Sequence, residues 1–222
     1  MKNIVLFFTK NADIAEWIFN TLGLGSPLTK YQRIVVKIYT YNCRSRQDVL
    51  DVIIKLCSEP KTAKQRYYLA MAYAWSNKEY RDKAIHYLHF YLDNELYNIK
   101  TEEQRLTHLS NVYRELANKY EQTYQFEEAL KYCRMSNDYI LKYINESKKN
   151  GIDSSFMTPT KIYESQLLVK MNRLDEAIKV LNTSKNISIY KYDTIFKDTI
   201  DNALEDLYRK KEKGYIYKPR KK

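Results

Sequence analysis

The feature that most constrains the fold is a pattern of small and large residues that occurs three times along the chain. Its centre is an alanine between a polar residue and a larger apolar residue, in the segments Lys83-Ala84-Ile85, Glu128-Ala129-Leu130 and Glu176-Ala177-Ile178. Four positions after each alanine stands another apolar residue, namely Leu88, Cys133 or Leu181. Because residues four apart share one face of a helix, the pattern predicts repeated helical hairpins.

Composition favours the same architecture. The chain has only 4 Gly and 4 Pro in 222 residues, whereas sheet proteins need many such turn residues. Apolar residues make up 44% of the chain and charged residues 29%, which supplies enough apolar material for a continuous core. We therefore expect an all-α protein with long helices and short connections.

Helix periodicity, caps and breakers divide the chain into four predicted hairpins and one final helix. The hairpins pair residues 29–41 with 46–57, 63–76 with 79–96, 102–124 with 126–145, and 159–171 with 174–181. The final amphipathic helix covers residues 196–211. Three segments result, namely an N-terminal capping segment (1–28), a helical repeat domain (29–208) and a basic tail (209–222) that we expect to fray after residue 213.

Further residues before the alanines complete the pattern. The first helices of the second and third predicted hairpins carry the small residues Ala72 and Ala117. Tyr68 and Tyr113 stand four positions before them, and Trp75 and Tyr120 three positions after them. This arrangement resembles the tetratricopeptide repeat, closely in residues 65–94 and 110–139 and more weakly in residues 158–184 and 29–60. The resemblance implies a right-handed superhelical α-solenoid of about four antiparallel hairpins with capping helices at both ends. Helical pairs of another repeat family are the alternative.

The resemblance also implies a concave groove that binds a protein or peptide. The groove residues that it indicates are Lys30, Arg33, Lys37, Arg66, Tyr73, Asn111, Arg114, Asn118 and Gln166. Arg114 and Asn118 resemble the pair with which some tetratricopeptide domains hold a peptide's terminal carboxylate, since guanidinium binds carboxylate through two hydrogen bonds. The neighbouring hairpins lack the matching residues, so a full clamp is absent and a solvated helix face is the alternative. The expected partner is acidic or carries a free carboxylate.

The basic tail supports a second hypothesis, nucleic-acid binding. Its candidate residues are Arg209, Lys210, Lys211, Lys213, Lys218 and Arg220, with the stripe Lys30, Arg33 and Lys37 in addition. Basic residues contact phosphates, and Tyr215 and Tyr217 between them can stack on bases. The formal net charge of +11 suits an acidic partner. Lys, Asn, Ile and Tyr also share A/T-rich codons, so genome composition is an equally good explanation of that charge.

Other functional classes find little support. The sequence has no phosphate-binding glycine loop, HExxH or paired CxxC, and His86 and His89 lack further ligands nearby. We therefore expect a non-catalytic protein without cofactor or metal. Its three scattered cysteines and its short N-terminal apolar run favour a cytoplasmic protein that does not bind membranes. A narrower resemblance is to helical-repeat receptors for signalling peptides in Gram-positive bacteria and their phages, although residues 1–27 are too short for the DNA-binding domain that many of them carry.

Overall fold

The computed structural model describes residues 46–56, 63–94, 99, 101–147, 157–185 and 194–219. The helices are α1 (Arg46–Leu56), α2 (Ala63–Trp75), α3 (Arg81–Asn94), α4 (Glu102–Gln122), α5 (Phe126–Ser147), α6 (Met157–Lys170), α7 (Leu174–Ser184) and α8 (Thr194–Glu212), with a 3-10 turn at Lys78–Tyr80. No strand occurs among the described residues, and the all-α prediction is confirmed for them. None of their helices is long and apolar enough to cross a membrane.

Some predicted features lie outside the described residues. These are the capping segment 1–28, the helix at 29–41, the stripe Lys30, Arg33 and Lys37, and Arg220. For the described helices the predicted positions hold closely. The largest shift is at the end of α7, which continues three residues beyond the prediction to Ser184. Helix α6 begins two residues early, at Met157, and includes Pro159 in its first turn. Proline is tolerated there because the first-turn N–H groups have no intrahelical acceptor.

The chain divides into two compact units, Met1–Asn98 and Ile99–Lys222. In the N-terminal unit, α2 packs against both α1 and α3. Every residue from Tyr67 to Ala74 is buried, because the sequence YYLAMAYA gives this part of α2 no polar face. A further contact joins the Asn77 N–H to the side-chain oxygen of Gln47 at 3.0 Å.

In the C-terminal unit, each helix from α4 to α8 packs against the next, and α8 also contacts α6. A continuous core joins these helices, and its fully buried members are Ala117, Ala129, Leu167, Leu168, Ala177, Leu181 and Ile200. The three alanines lie at positions where the repeated pattern predicts small residues. Their burial confirms that prediction, since small side chains allow close approach of helices.

Within the described part of the C-terminal unit, the turns between α4 and α5 and between α6 and α7 share one backbone geometry. Tyr124 and Asn172 both adopt a left-handed conformation, with φ of 62° and 59°. The next residue in each case returns its N–H to the last turn of the helix, from Gln125 to the Tyr120 carbonyl and from Arg173 to the Leu168 carbonyl. This is the Schellman helix ending. Gly214, with φ of 60°, produces the same ending after α8.

Candidate functional site

The candidate site is a cleft of about 310 Å³ between α6, α8 and the residues that follow α8 (213–219, called the tail segment). Its apolar and aromatic lining comes from Ile162 and Val169 of α6, Ala203 and Leu207 of α8, and Tyr215 and Tyr217 after α8. Gln166, one of the residues predicted to bind a peptide, also lines the cleft and is exposed. The volume is that of a small binding pocket. The cleft can therefore hold one or two side chains.

Two lysines at the cleft are neutralised by neighbouring carboxylates. Lys170 contacts a carboxylate oxygen of Glu121, and Lys210 lies 2.6 Å from Asp206, one turn earlier on α8. With two cations balanced by two anions, the cleft has no excess positive charge. Its chemistry favours an apolar or aromatic side chain over the acidic partner that the sequence predicted.

Glu121 also fixes the wall of the cleft through a second partner. The Tyr163 hydroxyl donates to it at 2.7 Å. Burial raises the pKa of Tyr163 well above its usual range, and the hydrogen bond to Glu121 and the negative charge of that carboxylate add to the effect. The phenol stays protonated and keeps donating, so α4 and α6 are held together beneath the cleft.

The residues after α8 pack against the hairpin turns, although their composition predicted a frayed tail. The Tyr217 N–H donates to the side-chain oxygen of Asn172 at 2.6 Å, and the Asn172 amide nitrogen donates to the Tyr217 carbonyl at 3.5 Å. The Tyr217 ring meets Phe126 edge to face, with ring centroids 6.1 Å apart. Lys210 lies 5.6 Å from the centre of the Tyr215 ring. The tail segment is therefore one wall of the cleft.

A buried carboxylate links α5 to α6 on another side of α6. Glu164 is 4% exposed. Its oxygens accept hydrogen bonds from Arg134 at 3.0 Å, Asn137 at 2.8 Å and Lys161 at 3.0 Å. Lys161 reaches Glu164 from three residues earlier on α6, and this ion pair neutralises a lysine side chain that is only 20% exposed.

Arg114 and Asn118, the predicted carboxylate-binding pair, both contact Glu115. The Arg114 Nε lies 3.6 Å from one Glu115 oxygen, and the Asn118 amide donates to the other at 3.3 Å. Glu115 is buried. The capture of a partner's carboxylate by this pair stays a prediction, and the negative charge of Glu115 beside the pair opposes it.

Tyr73 occupies an interior position, which corrects its assignment to an open groove. Its ring lies 5.2 Å from Tyr87 and 5.5 Å from Tyr80, and only 8% of the residue is exposed. Burial raises the pKa of Tyr73, and the neighbouring Tyr87 and Tyr80 raise it further. Arg66 in α2 and Asn111 in α4 are half-buried.

The described residues of the predicted nucleic-acid site divide into two groups. Lys210 and Lys211 each lie 2.6 Å from an aspartate, Asp206 and Asp175. The hydrogen bond to Asp175 and the negative charge of that carboxylate raise the pKa of Lys211. Arg209, Lys213 and Lys218 are exposed. Two of these five cations are therefore committed to carboxylates within the protein.

Comparison with protein-family models, with curated proteins and with solved structures finds no match to this chain. The cleft is therefore interpreted from its own residues. Among the described residues, no cluster of three or more histidine, cysteine, aspartate or glutamate side chains has the arrangement of a metal site.

Proposed function

We propose that this protein is a non-catalytic scaffold of tetratricopeptide-like helical hairpins that binds a protein or peptide segment. The observation that carries the proposal is the cleft between α6, α8 and the tail segment, with its aliphatic and aromatic walls and its neutralised lysines. Concave apolar sites with a few polar groups are typical of ligand recognition. The paired helices, the buried small residues and the repeated turn geometry support the solenoid part of the proposal.

The cleft favours a particular kind of partner. Its apolar lining suits an apolar or aromatic side chain, while the exposed Gln166 amide can donate to or accept from a peptide backbone. A cytoplasmic partner with a free carboxylate remains a second version of the proposal, and it places the contact at Arg114 rather than in the cleft.

The test begins with a displayed library of random peptides selected against the full chain. We expect Gln166→Trp to lower the affinity for the selected peptides by at least about tenfold, because an indole at this exposed position fills the cleft. Binding is measured by fluorescence anisotropy. Gln104→Trp is the matched control, since Gln104 is also exposed but does not line the cleft.

Two results separate the possible sites. Unchanged binding in Gln166→Trp contradicts the cleft as the site. A loss in Arg114→Ala, with Gln166→Trp unaffected, instead supports the carboxylate-binding version. Circular dichroism confirms that each variant keeps its helical content.

The nucleic-acid alternative has weaker support. Its favourable observation is that Arg209, Lys213 and Lys218 are exposed near the exposed rings of Tyr208 and Tyr215. Salt-dependent retention of single-stranded DNA, lost on reversal of these three charges, would support it. Absence of retention at low salt would remove it.

A further inference from the structure

The wall of the cleft that follows α8 is the protein's own tail, which rests on groups beside the cleft, the Asn172 side chain and the Phe126 ring. Residues 215–219 follow the Gly214 turn without forming a helix. We propose that the surface beneath this tail, with Phe126, Asn172 and Lys210, recognises an extended segment in which two aromatic residues are separated by one residue, and that the protein's tail occupies this surface until such a partner takes its place as the wall of the cleft. The proposal rests on the peptide-binding function above, for which it names the ligand class.

Recognition of the tail backbone depends on Asn172. The Asn172 side chain accepts from the Tyr217 N–H at 2.6 Å and donates to the Tyr217 carbonyl at 3.5 Å. One amide side chain thus contacts both polar groups of one peptide residue. Such contacts select an extended backbone and are available to any sequence that adopts it.

The tail side chains supply the sequence preference. In an extended segment, residues two apart point to the same side. Tyr215 and Tyr217 accordingly both line the cleft, whereas the intervening Ile216 is 65% exposed. The Tyr217 ring contacts Phe126, and the Tyr215 ring lies near the ammonium group of Lys210. This arrangement specifies an aromatic residue, any residue, and a second aromatic residue.

The tail is held in a way that permits displacement. Tyr215 is 39% exposed, and the tail contacts described above are few. Its advantage is that it is tethered, since a segment joined by a short linker has an effective concentration in the millimolar range. A partner must overcome this competition, so weak ligands are excluded while a tighter one replaces the tail.

The test uses an open-tail variant, which is the full chain carrying Tyr215→Ala and Tyr217→Ala. The probe is a fluorescent, end-capped peptide with the sequence of residues 214–219, GYIYKP. We expect the open-tail variant to bind the probe at least about tenfold more tightly than the wild-type chain, because the tethered competitor has been weakened. The control peptide GAIAKP, which has the same charge, should bind at least about tenfold more weakly than the probe.

A further substitution tests Asn172 without damaging its turn. Asn172→Gly removes the side-chain amide, while glycine readily adopts the positive φ of 59° found there. In the open-tail variant, Asn172→Gly should lower probe affinity by about fivefold or more, the loss expected for one hydrogen-bonding group. Circular dichroism should show the same helical content in all the variants.

Equal binding of the probe by the wild-type chain and the open-tail variant would overturn the proposal, as would equal binding of the two peptides. Its failure is distinguishable from failure of the peptide-binding function. If a library peptide loses affinity in Gln166→Trp but is not displaced by GYIYKP, only the proposal about the tail is overturned. The absence of any cleft-dependent peptide, even with the open-tail variant, overturns both.

Discussion

Glu164→Ala should lower the free energy of unfolding by about 2–3 kcal/mol. The substitution removes the carboxylate that accepts from Arg134, Asn137 and Lys161. Asn137 is 1% exposed, so its amide loses an acceptor that water cannot easily replace. Arg134 is 47% exposed at its side chain and can be solvated, which keeps the expected loss below that of a fully buried ion pair.

The measurement is urea unfolding followed by circular dichroism, with Glu128→Ala as the matched control. Glu128 makes an exposed ion pair with Lys131 at 3.4 Å and lies in the first turn of α5, so its loss should cost less than about 1 kcal/mol. Glu164→Gln, which retains one acceptor oxygen, should lie between them. Equal effects of Glu164→Ala and Glu128→Ala would show that the buried network does not hold α5 against α6.

Leu181→Ala should lower the free energy of unfolding by about 3 kcal/mol. Leu181 is fully buried one turn after Ala177, in the core that joins the helices of the C-terminal unit. The substitution removes apolar contacts and leaves a cavity, because close-packed helices relax only partly around a deleted side chain. Thermal unfolding should show a decrease in Tm on the order of 10 °C.

Thr183→Ala, two residues further along α7, is the control. Thr183 is exposed and its hydroxyl bonds only the Val180 carbonyl of its own helix. Alanine also favours helix more than threonine does, so we expect a change within about 0.5 kcal/mol. A similar decrease in Tm for both variants would contradict the claim that packing of Leu181 in the shared core stabilises the C-terminal unit.

The sequence predicted the helices well because their signals are local. Apolar spacing, short polar breaks and the segments around Ala84, Ala129 and Ala177 indicate which residues form each hairpin. The structure confirms that these alanines are fully buried. In the amphipathic helix α8, the apolar residues Ile200, Leu204 and Leu207 are buried as its periodicity predicts, whereas Ala203 on the same face is half-buried.

The sequence predicted the site less well because the site combines residues that are distant in sequence. It also depends on which face of each helix is turned toward the core. Asn172 and Tyr217 are separated by 45 positions, and nothing in a local pattern pairs them. Gly214 was the available signal, since glycine after a lysine-rich helix end is typical of a turn. Tyr73 was misassigned because residues 67–74 of α2 are apolar or aromatic on all sides, so periodicity could not separate the inner face of this part of the helix from its outer face.

The central claim, that the cleft binds a peptide, is tested most directly by photochemical cross-linking. A benzophenone amino acid replaces Gln166 in one version of the full chain and Gln104 in the other. A library-selected peptide should cross-link at position 166 and not at position 104, because of these two residues Gln166 alone lines the cleft. Cross-linking at position 104 alone, or equally at both positions, would contradict the claim.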